Sequence, residues 1–144
     1  MKAAFFPLVV LAAALAGCVT PPPGTKSPLR DGNVTVALGK HARFFGLEVV
    51  PLRIEEDSRC PTGVQCIQAG TVRLAVRVED RSGTSEPTLT LGKPVALGGG
   101  GWLALAAVCP YPRHPERIAQ SSYLFTLAFR VRQPPTPLDL PCGG

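Results

Sequence analysis

Few side chains in the sequence belong to the types that acid–base or nucleophilic catalysis requires. Only His41 and His114 could exchange protons near neutral pH, and neither lies in a motif with a nucleophile. Ser58, Ser121 and Ser122 lack the Gly-x-Ser-x-Gly turn that exposes the nucleophile of many acyl-transfer hydrolases. We therefore expect no enzymatic activity, and a hydrolase that uses one of the two histidines is the weakest hypothesis.

Two further runs of residues could hold a cation or a phosphate, but their patterns argue against it. Adjacent residues of a strand point to opposite faces, so the acidic run 55–57 favours a solvated strand edge over a cation site. The glycines at 98–101 lack the Lys and Ser/Thr of a phosphate-binding loop, and we expect a flexible hairpin there. Trp102, which follows, is the only tryptophan, and we expect it to anchor the core. No cofactor and no metal is expected.

The first seventeen residues have the layout of an export signal. Lys2 precedes an apolar run, residues 3–16, that is too short to span a bilayer comfortably. The run ends Leu15-Ala16-Gly17-Cys18, which resembles the lipobox of bacterial lipoproteins. The resemblance implies cleavage before Cys18, addition of diacylglycerol to its thiol, and acylation of the new amino terminus with a fatty acid such as palmitate. The alternative is an ordinary signal peptide cut at residue 14 or 16.

The same resemblance implies a location in the cell. Val19 follows Cys18, whereas in Gram-negative lipoproteins an Asp at that position means retention in the inner membrane. We therefore expect a lipid anchor in the bacterial cell envelope, at the outer membrane, facing the periplasm or the cell exterior. Residues 18–31 then form the lipidated cysteine and a proline-rich tether, since prolines at 21–23 and 28 favour an extended chain.

The four remaining cysteines predict disulfides. An exported chain meets oxidising surroundings, so the even set Cys60, Cys66, Cys109 and Cys142 indicates two bridges. We favour Cys60–Cys66 with Cys109–Cys142 among the three pairings, because the turn at 61–63 can bring the first two together. Each bridge lowers the chain entropy of the unfolded state, which should stabilise the fold by roughly 2 kcal/mol for the small loop and nearly 4 kcal/mol for the large one. A zinc site is the alternative, although the gap between Cys60 and Cys66 exceeds the usual zinc-knuckle spacing.

Composition indicates a folded domain. The sequence has 45% hydrophobic and 17% charged residues, which excludes intrinsic disorder. Its formal charge of +5 is spread along the chain and forms no basic stripe. Nucleic acid is therefore not an expected partner.

Apolar and polar residues alternate in short segments that Gly and Pro turns separate. The cleanest segment is 72–79, and the longest, 123–131, is expected to be a central strand. Strands are also expected at 34–38, 44–51 and 88–91, while 102–108 could be a strand or a buried helical segment. About seven short strands predict an all-β domain over residues 32–144, an antiparallel immunoglobulin-like β-sandwich, with a small β-barrel as the alternative.

Residues 56–70 contain Ser-Arg-Cys-Pro, a Val, a second Cys and Ala-Gly before a strand. This pattern resembles one in small exported bacterial proteins of undefined function, and the resemblance implies a fold and no activity. We expect a disulfide-closed loop between two strands, in which Arg59 can pair with Asp57 or Glu56 and Gly70 allows a bend. The alternative interpretation is an exposed docking or inhibitory loop that presents Arg59 and Thr62.

A second loop, residues 111–117, has the mixture of aromatic, cationic and Pro residues that interfaces favour. Its candidate interaction residues are Tyr111, Arg113 and His114, and a solvated proline-rich loop is the alternative. The sequence thus predicts a lipid-anchored envelope binding or structural module. An inhibitor of an envelope hydrolase, a protease or lysozyme, acting through the Cys60–Cys66 loop is the alternative. The expected partners are the membrane, through the lipid, and an envelope protein or peptidoglycan.

Overall fold

The computed structural model describes residues 29–136. The predicted signal peptide, the lipidation site Cys18, nearly all of the tether and Cys142 lie outside the described residues. Between residues 29 and 136, no helix has the length and apolar character needed to cross a membrane.

Strands dominate the described part of the chain. In chain order they are β1 (Gly32–Ala37), β2 (Ala42–Phe44), β3 (Leu47–Asp57), β4 (Val72–Asp80), β5 (Gly83–Ser85), β6 (Thr88–Thr90), β7 (Val95–Ala96), β8 (Trp102–Cys109) and β9 (Leu124–Arg130). One turn of 3₁₀ helix, Gln120–Ser122, precedes β9.

The strands form two antiparallel sheets. One sheet has the order β1-β9-β8-β7. In the other, β2 pairs with β3 and β3 with β4, and the second edge of β4 pairs first with β6 and then with β5. The sheets do not close into a barrel, which confirms the predicted all-β sandwich and shows that the barrel alternative is wrong.

The core lies between the two sheets and comes largely from the strands with the clearest alternation. The predicted central strand, β9, does lie between β1 and β8. Every second residue of β4 and β9 is buried: Val72, Leu74, Val76, Val78, Phe125, Leu127 and Phe129. Burying a side chain of this size stabilises the fold by about 1.5–3 kcal/mol.

The predicted strand 44–51 is wrong as a single element. Phe45 and Gly46 form the turn between β2 and β3, and the φ of Gly46 is 78°, in the left-handed region that glycine adopts without strain. Phe45 is consequently exposed, with the guanidinium carbon of Arg30 4.9 Å from its ring centroid. Leu47 and Val49 of β3 are buried as the pattern predicts.

Segment 102–108, which could have been strand or helix, is strand β8. Its register with β9 shifts between Leu105 and Ala107, so the core-facing residues are Leu103, Leu105 and then Val108. This bulge breaks the period of two and explains why the sequence pattern was ambiguous. Trp102 begins β8 half-buried on the opposite face from Leu103, so the expectation that it anchors the core is wrong.

The glycines at 98–101 lie between β7 and β8, as the predicted hairpin requires. The Gly99 N–H donates to the carboxylate of Asp80 at 2.9 Å. Gly101 has a φ of 87°, and a Cβ there would lie 2.5 Å from Cζ of Phe129. The hairpin thus packs against the sandwich through Gly99 and Gly101.

Candidate binding site

Two loops at one end of the sandwich contain the candidate interaction residues. We name residues 58–71, between β3 and β4, the disulfide loop, and residues 110–123, between β8 and β9, the proline loop. The Thr62 N–H donates to the Pro112 carbonyl at 2.9 Å, and the His114 N–H donates to the Thr62 carbonyl at 3.4 Å. These two bonds form a short parallel bridge between Thr62 and Arg113, so the two loops present one joint surface.

The disulfide loop is closed as the sequence predicted. Cys60 and Cys66 are bonded, with their Cα atoms 5.9 Å apart, which confirms this pairing. Cys109 is also disulfide-bonded, while Cys142 lies outside the described residues, so the Cys109–Cys142 pairing stays a prediction. Within residues 29–136, no three His, Cys, Asp or Glu side chains form a group that could hold a metal ion.

The base of the disulfide loop is closed by Ser58 and Thr71. The Ser58 N–H donates to the Thr71 carbonyl at 2.9 Å, and the Thr71 N–H donates to Ser58 Oγ at 3.0 Å. Gly70 lies against this pair so closely that a Cβ there would be 1.5 Å from the Ser58 carbonyl oxygen. The chain therefore needs glycine at 70 for a close approach of two backbones, and the Ser58 hydroxyl serves the loop base.

Arg59 is buried, which corrects its prediction as a surface interaction residue. Its side chain is 6% exposed and donates from Nε and Nη2 to the two carboxylate oxygens of Asp57, at 2.9 and 2.7 Å. The predicted pairing of Arg59 with Asp57 is confirmed. Arg59 also donates to the carbonyls of Val108 and Pro110, where β8 ends and the proline loop begins. The Arg59 guanidinium thus forms hydrogen bonds at the base of both loops.

Tyr123 completes this buried network. Its hydroxyl donates to Asp57 Oδ2 at 2.8 Å, and its ring stacks on Phe125 with centroids 6.0 Å apart. Burial and the bond to the Asp57 carboxylate raise the pKa of Tyr123 to about 12. Burial by itself would raise the pKa of Asp57, but the hydrogen bonds from Arg59 and Tyr123 outweigh it and lower that pKa. Asp57 is therefore ionised across the neutral range.

The Tyr111 ring lies above the buried network. The guanidinium carbon of Arg59 is 5.5 Å from its centroid, within the range of a cation–π contact, while 57% of Tyr111 remains exposed. Beside Tyr111 the proline loop encloses an open cavity of about 370 Å³, whose walls include Arg113, Glu116 and Arg117. Two of the predicted interaction residues, Tyr111 and Arg113, therefore line the same depression.

Two apolar residues on the disulfide loop were not singled out from the sequence. Ile67 is fully exposed, and Val64 is 41% exposed. Together with Tyr111 they place three large exposed hydrophobic side chains on the two loops. The sequence signal was weak: both residues flank Cys66 in a segment that shows no alternation.

The two histidines lie in different parts of the fold. Nδ1 of His41 is 2.5 Å from Glu48 Oε1, beside the β2–β3 hairpin, and His114 is exposed on the proline loop. The hydrogen bonds from His41 and from Arg43 hold the pKa of Glu48 below its ordinary value, and they outweigh the opposite effect of burial. Over residues 29–136, no hydrogen bond joins either histidine to a serine hydroxyl.

Comparison with known proteins gave no relative. The chain matches no protein-family model, no curated protein and no solved structure.

Proposed function

We propose that this chain is a lipid-anchored binding module of the bacterial envelope, without catalytic activity, that holds a protein partner on its paired loops. The observation that carries the proposal is the joining of two loops into one surface that exposes Ile67, Val64 and Tyr111. The lipobox resemblance at Cys18 supports the anchor, and the proline-rich stretch that follows supports a tether between lipid and domain.

The contacts that hold the two loops in place favour a binding function. Association costs free energy when loops must be ordered, and a surface ordered beforehand avoids that cost. Here the Cys60–Cys66 bond closes one loop, and Thr62 joins it to the other. Arg59 fixes the roots of both loops through Asp57 and two backbone carbonyls.

The chemistry of the exposed residues also favours a protein partner. Binding energy in interfaces concentrates on aromatic, Arg and apolar side chains that become buried at the centre of the contact. Ile67 and Tyr111 supply the apolar and aromatic parts, and Arg113 and Arg117 supply cations at their side. An interface centred on Ile67 would bury a side chain that is otherwise wholly in water.

An inhibitor of an envelope hydrolase remains the second candidate, and one observation favours it. Ile67 directly follows Cys66 of the closed loop and is fully exposed, so it could enter the substrate pocket of a protease or lysozyme. Residue 67, and not Arg59, would then be the inhibitory contact.

The test is photo-crosslinking from position 67 in the intact envelope. The full chain, with a photoreactive amino acid in place of Ile67, is expressed in its host and irradiated; the control carries the same residue at the exposed Val131, outside both loops. We expect one protein to be crosslinked from position 67 and not from 131, and to be lost from Ile67→Glu pull-downs. Equal crosslinks from both positions, or none from 67, would overturn the proposal. Loss of the captured protein's hydrolase activity on binding would select the inhibitor candidate.

A further inference from the structure

The cavity in the proline loop is lined by two arginines that form no ion pair within residues 29–136. Among residues 29–136, the ion pairs engage His41, Arg43, Arg53, Arg59, Arg73 and Arg77. None engages Arg113 or Arg117, and both line the cavity. Glu116 lines it as well, so these three side chains leave one net positive charge there. A guanidinium presents a fork of donors that fits a carboxylate, and both forks here are free to do so.

The cavity is also held in shape. Tyr111 forms one wall and is positioned by its contact with the buried Arg59. The backbone on both sides of Arg113 is bonded to Thr62, which belongs to the disulfide loop. A volume of about 370 Å³ accommodates an amino-acid side chain with room for water.

We propose that this cavity receives a carboxylate side chain from an acidic peptide segment of the partner. The inference rests on the proposed function and names the chemistry of the partner. Arg113 and Arg117 donate hydrogen bonds to the carboxylate, and the exposed face of Tyr111 packs against the aliphatic stem. Ile67 contacts an apolar part of the same partner, so recognition combines an apolar contact on one loop with a charged contact on the other.

A nuclear magnetic resonance titration tests the cavity without knowledge of the partner. The ¹⁵N-labelled full chain in detergent micelles is titrated with triglutamate that is acetylated at its amino terminus and amidated at its carboxyl terminus. In parallel it is titrated with triglutamine capped in the same way, which has the same shape without charge. We expect the amide resonances of Tyr111, Arg113, Arg117 and Ser122 to shift with triglutamate only. The double variant Arg113→Gln/Arg117→Gln should lower the affinity for triglutamate at least about tenfold, since two charge-assisted hydrogen bonds are lost.

Two further variants fix the interpretation. Arg132→Gln removes an exposed arginine that does not line the cavity and should bind triglutamate as the wild type does. Glu116→Gln removes the carboxylate in the cavity and should strengthen binding severalfold. Equal shifts with triglutamine, equal weakening in Arg132→Gln, or unchanged binding in the double variant would overturn the inference. Dispersion of the remaining resonances shows that each variant is folded.

The two proposals can fail separately. If crosslinking from position 67 captures a partner and triglutamate does not bind, only the acidic-peptide inference is wrong. If triglutamate binds the cavity and position 67 captures nothing, the function proposed for the paired loops is wrong.

Discussion

Arg59 and Asp57 form a two-point ion pair inside the fold, with Nε and Nη2 of the guanidinium donating to the two carboxylate oxygens at 2.9 and 2.7 Å. Their side chains are 6% and 11% exposed. The pair stands at the roots of both loops, since Asp57 ends β3 and Arg59 reaches the carbonyls of Val108 and Pro110. Removing either member leaves a charge in the interior without its partner.

We expect Arg59→Ala to lower the free energy of unfolding by about 3–5 kcal/mol, the usual cost of breaking a buried ion pair. Arg59→Lys keeps the positive charge but loses the two-point hydrogen bonding of the guanidinium, so its free energy of unfolding should lie between those of Arg59→Ala and the wild type. The matched control is Arg53→Ala, which breaks an exposed pair with Glu55 and should cost about 1 kcal/mol or less. Urea unfolding measures the stability of all three variants. Equal losses of stability in Arg59→Ala and Arg53→Ala would show that the buried ion pair stabilises the fold no more than the exposed one.

Acid should weaken the fold through Asp57. Because the folded state holds the pKa of Asp57 below 3.8, the ionised carboxylate stabilises the fold at any pH above that value, and this stabilisation is lost as pH falls through the folded pKa. Asp57→Asn should be less stable than wild type at neutral pH. The difference between the two proteins should narrow as pH falls below about 4. A difference that stays constant in acid would contradict the assignment.

Tyr123 should titrate late. In a Tyr111→Phe background it is the only tyrosine, so ultraviolet absorbance of tyrosinate reports it alone. We expect a midpoint at about pH 12 in the folded chain and at its ordinary value of 10.0 in the urea-unfolded chain. Because folding raises this pKa, the stabilisation is complete below pH 10.0 and is lost as pH rises towards about 12. A folded midpoint near 10 would mean that the bond to Asp57 is absent in solution.

Gly70→Ala should open the base of the disulfide loop. The added Cβ meets the backbone of Ser58 at 1.5 and 2.1 Å, and backbone cannot rotate away as a side chain can. We expect a loss of about 3 kcal/mol, at the upper end for overpacking. Gly63→Ala is the control: its Cβ meets nothing within 4 Å, but its φ of +88° costs a side chain about 1 kcal/mol. Calorimetric unfolding compares them, and a smaller loss at 70 than at 63 would refute the close-approach argument.

The parts of the fold that were predictable from sequence are those whose signal repeats. β4 and β9 alternate over seven residues or more, and both were assigned with the correct buried face. β2, β5 and β7 have two or three residues each and are too short to show a period. In β8 the pattern failed at the bulge, where tertiary packing shifts the register and the sequence contains no marker for it.

The site was predicted in outline and not in detail. The disulfide loop and the proline loop were both identified as candidate interaction segments, because cysteine spacing and composition are local signals. That they join through Thr62 depends on contacts between segments about fifty residues apart, which no local pattern encodes. The burial of Arg59 has the same origin: the carbonyls that enclose it belong to Val108 and Pro110. Exposure of Ile67 was missed because a single apolar residue has no period.

Membrane attachment should depend on Cys18, which lies outside the described part of the chain. The lipobox resemblance implies that Cys18 carries diacylglycerol and a fatty acyl chain at its amino group, three chains in all, which anchor far more firmly than one. We expect Cys18→Ser to abolish labelling with radioactive palmitate and to leave the chain uncleaved. Val19→Asp should keep the label but move the protein from the outer to the inner membrane fraction. Palmitate labelling that persists in Cys18→Ser would show that the thiol is not the lipid site, and an unchanged distribution of Val19→Asp would show that the Gram-negative sorting pattern does not apply.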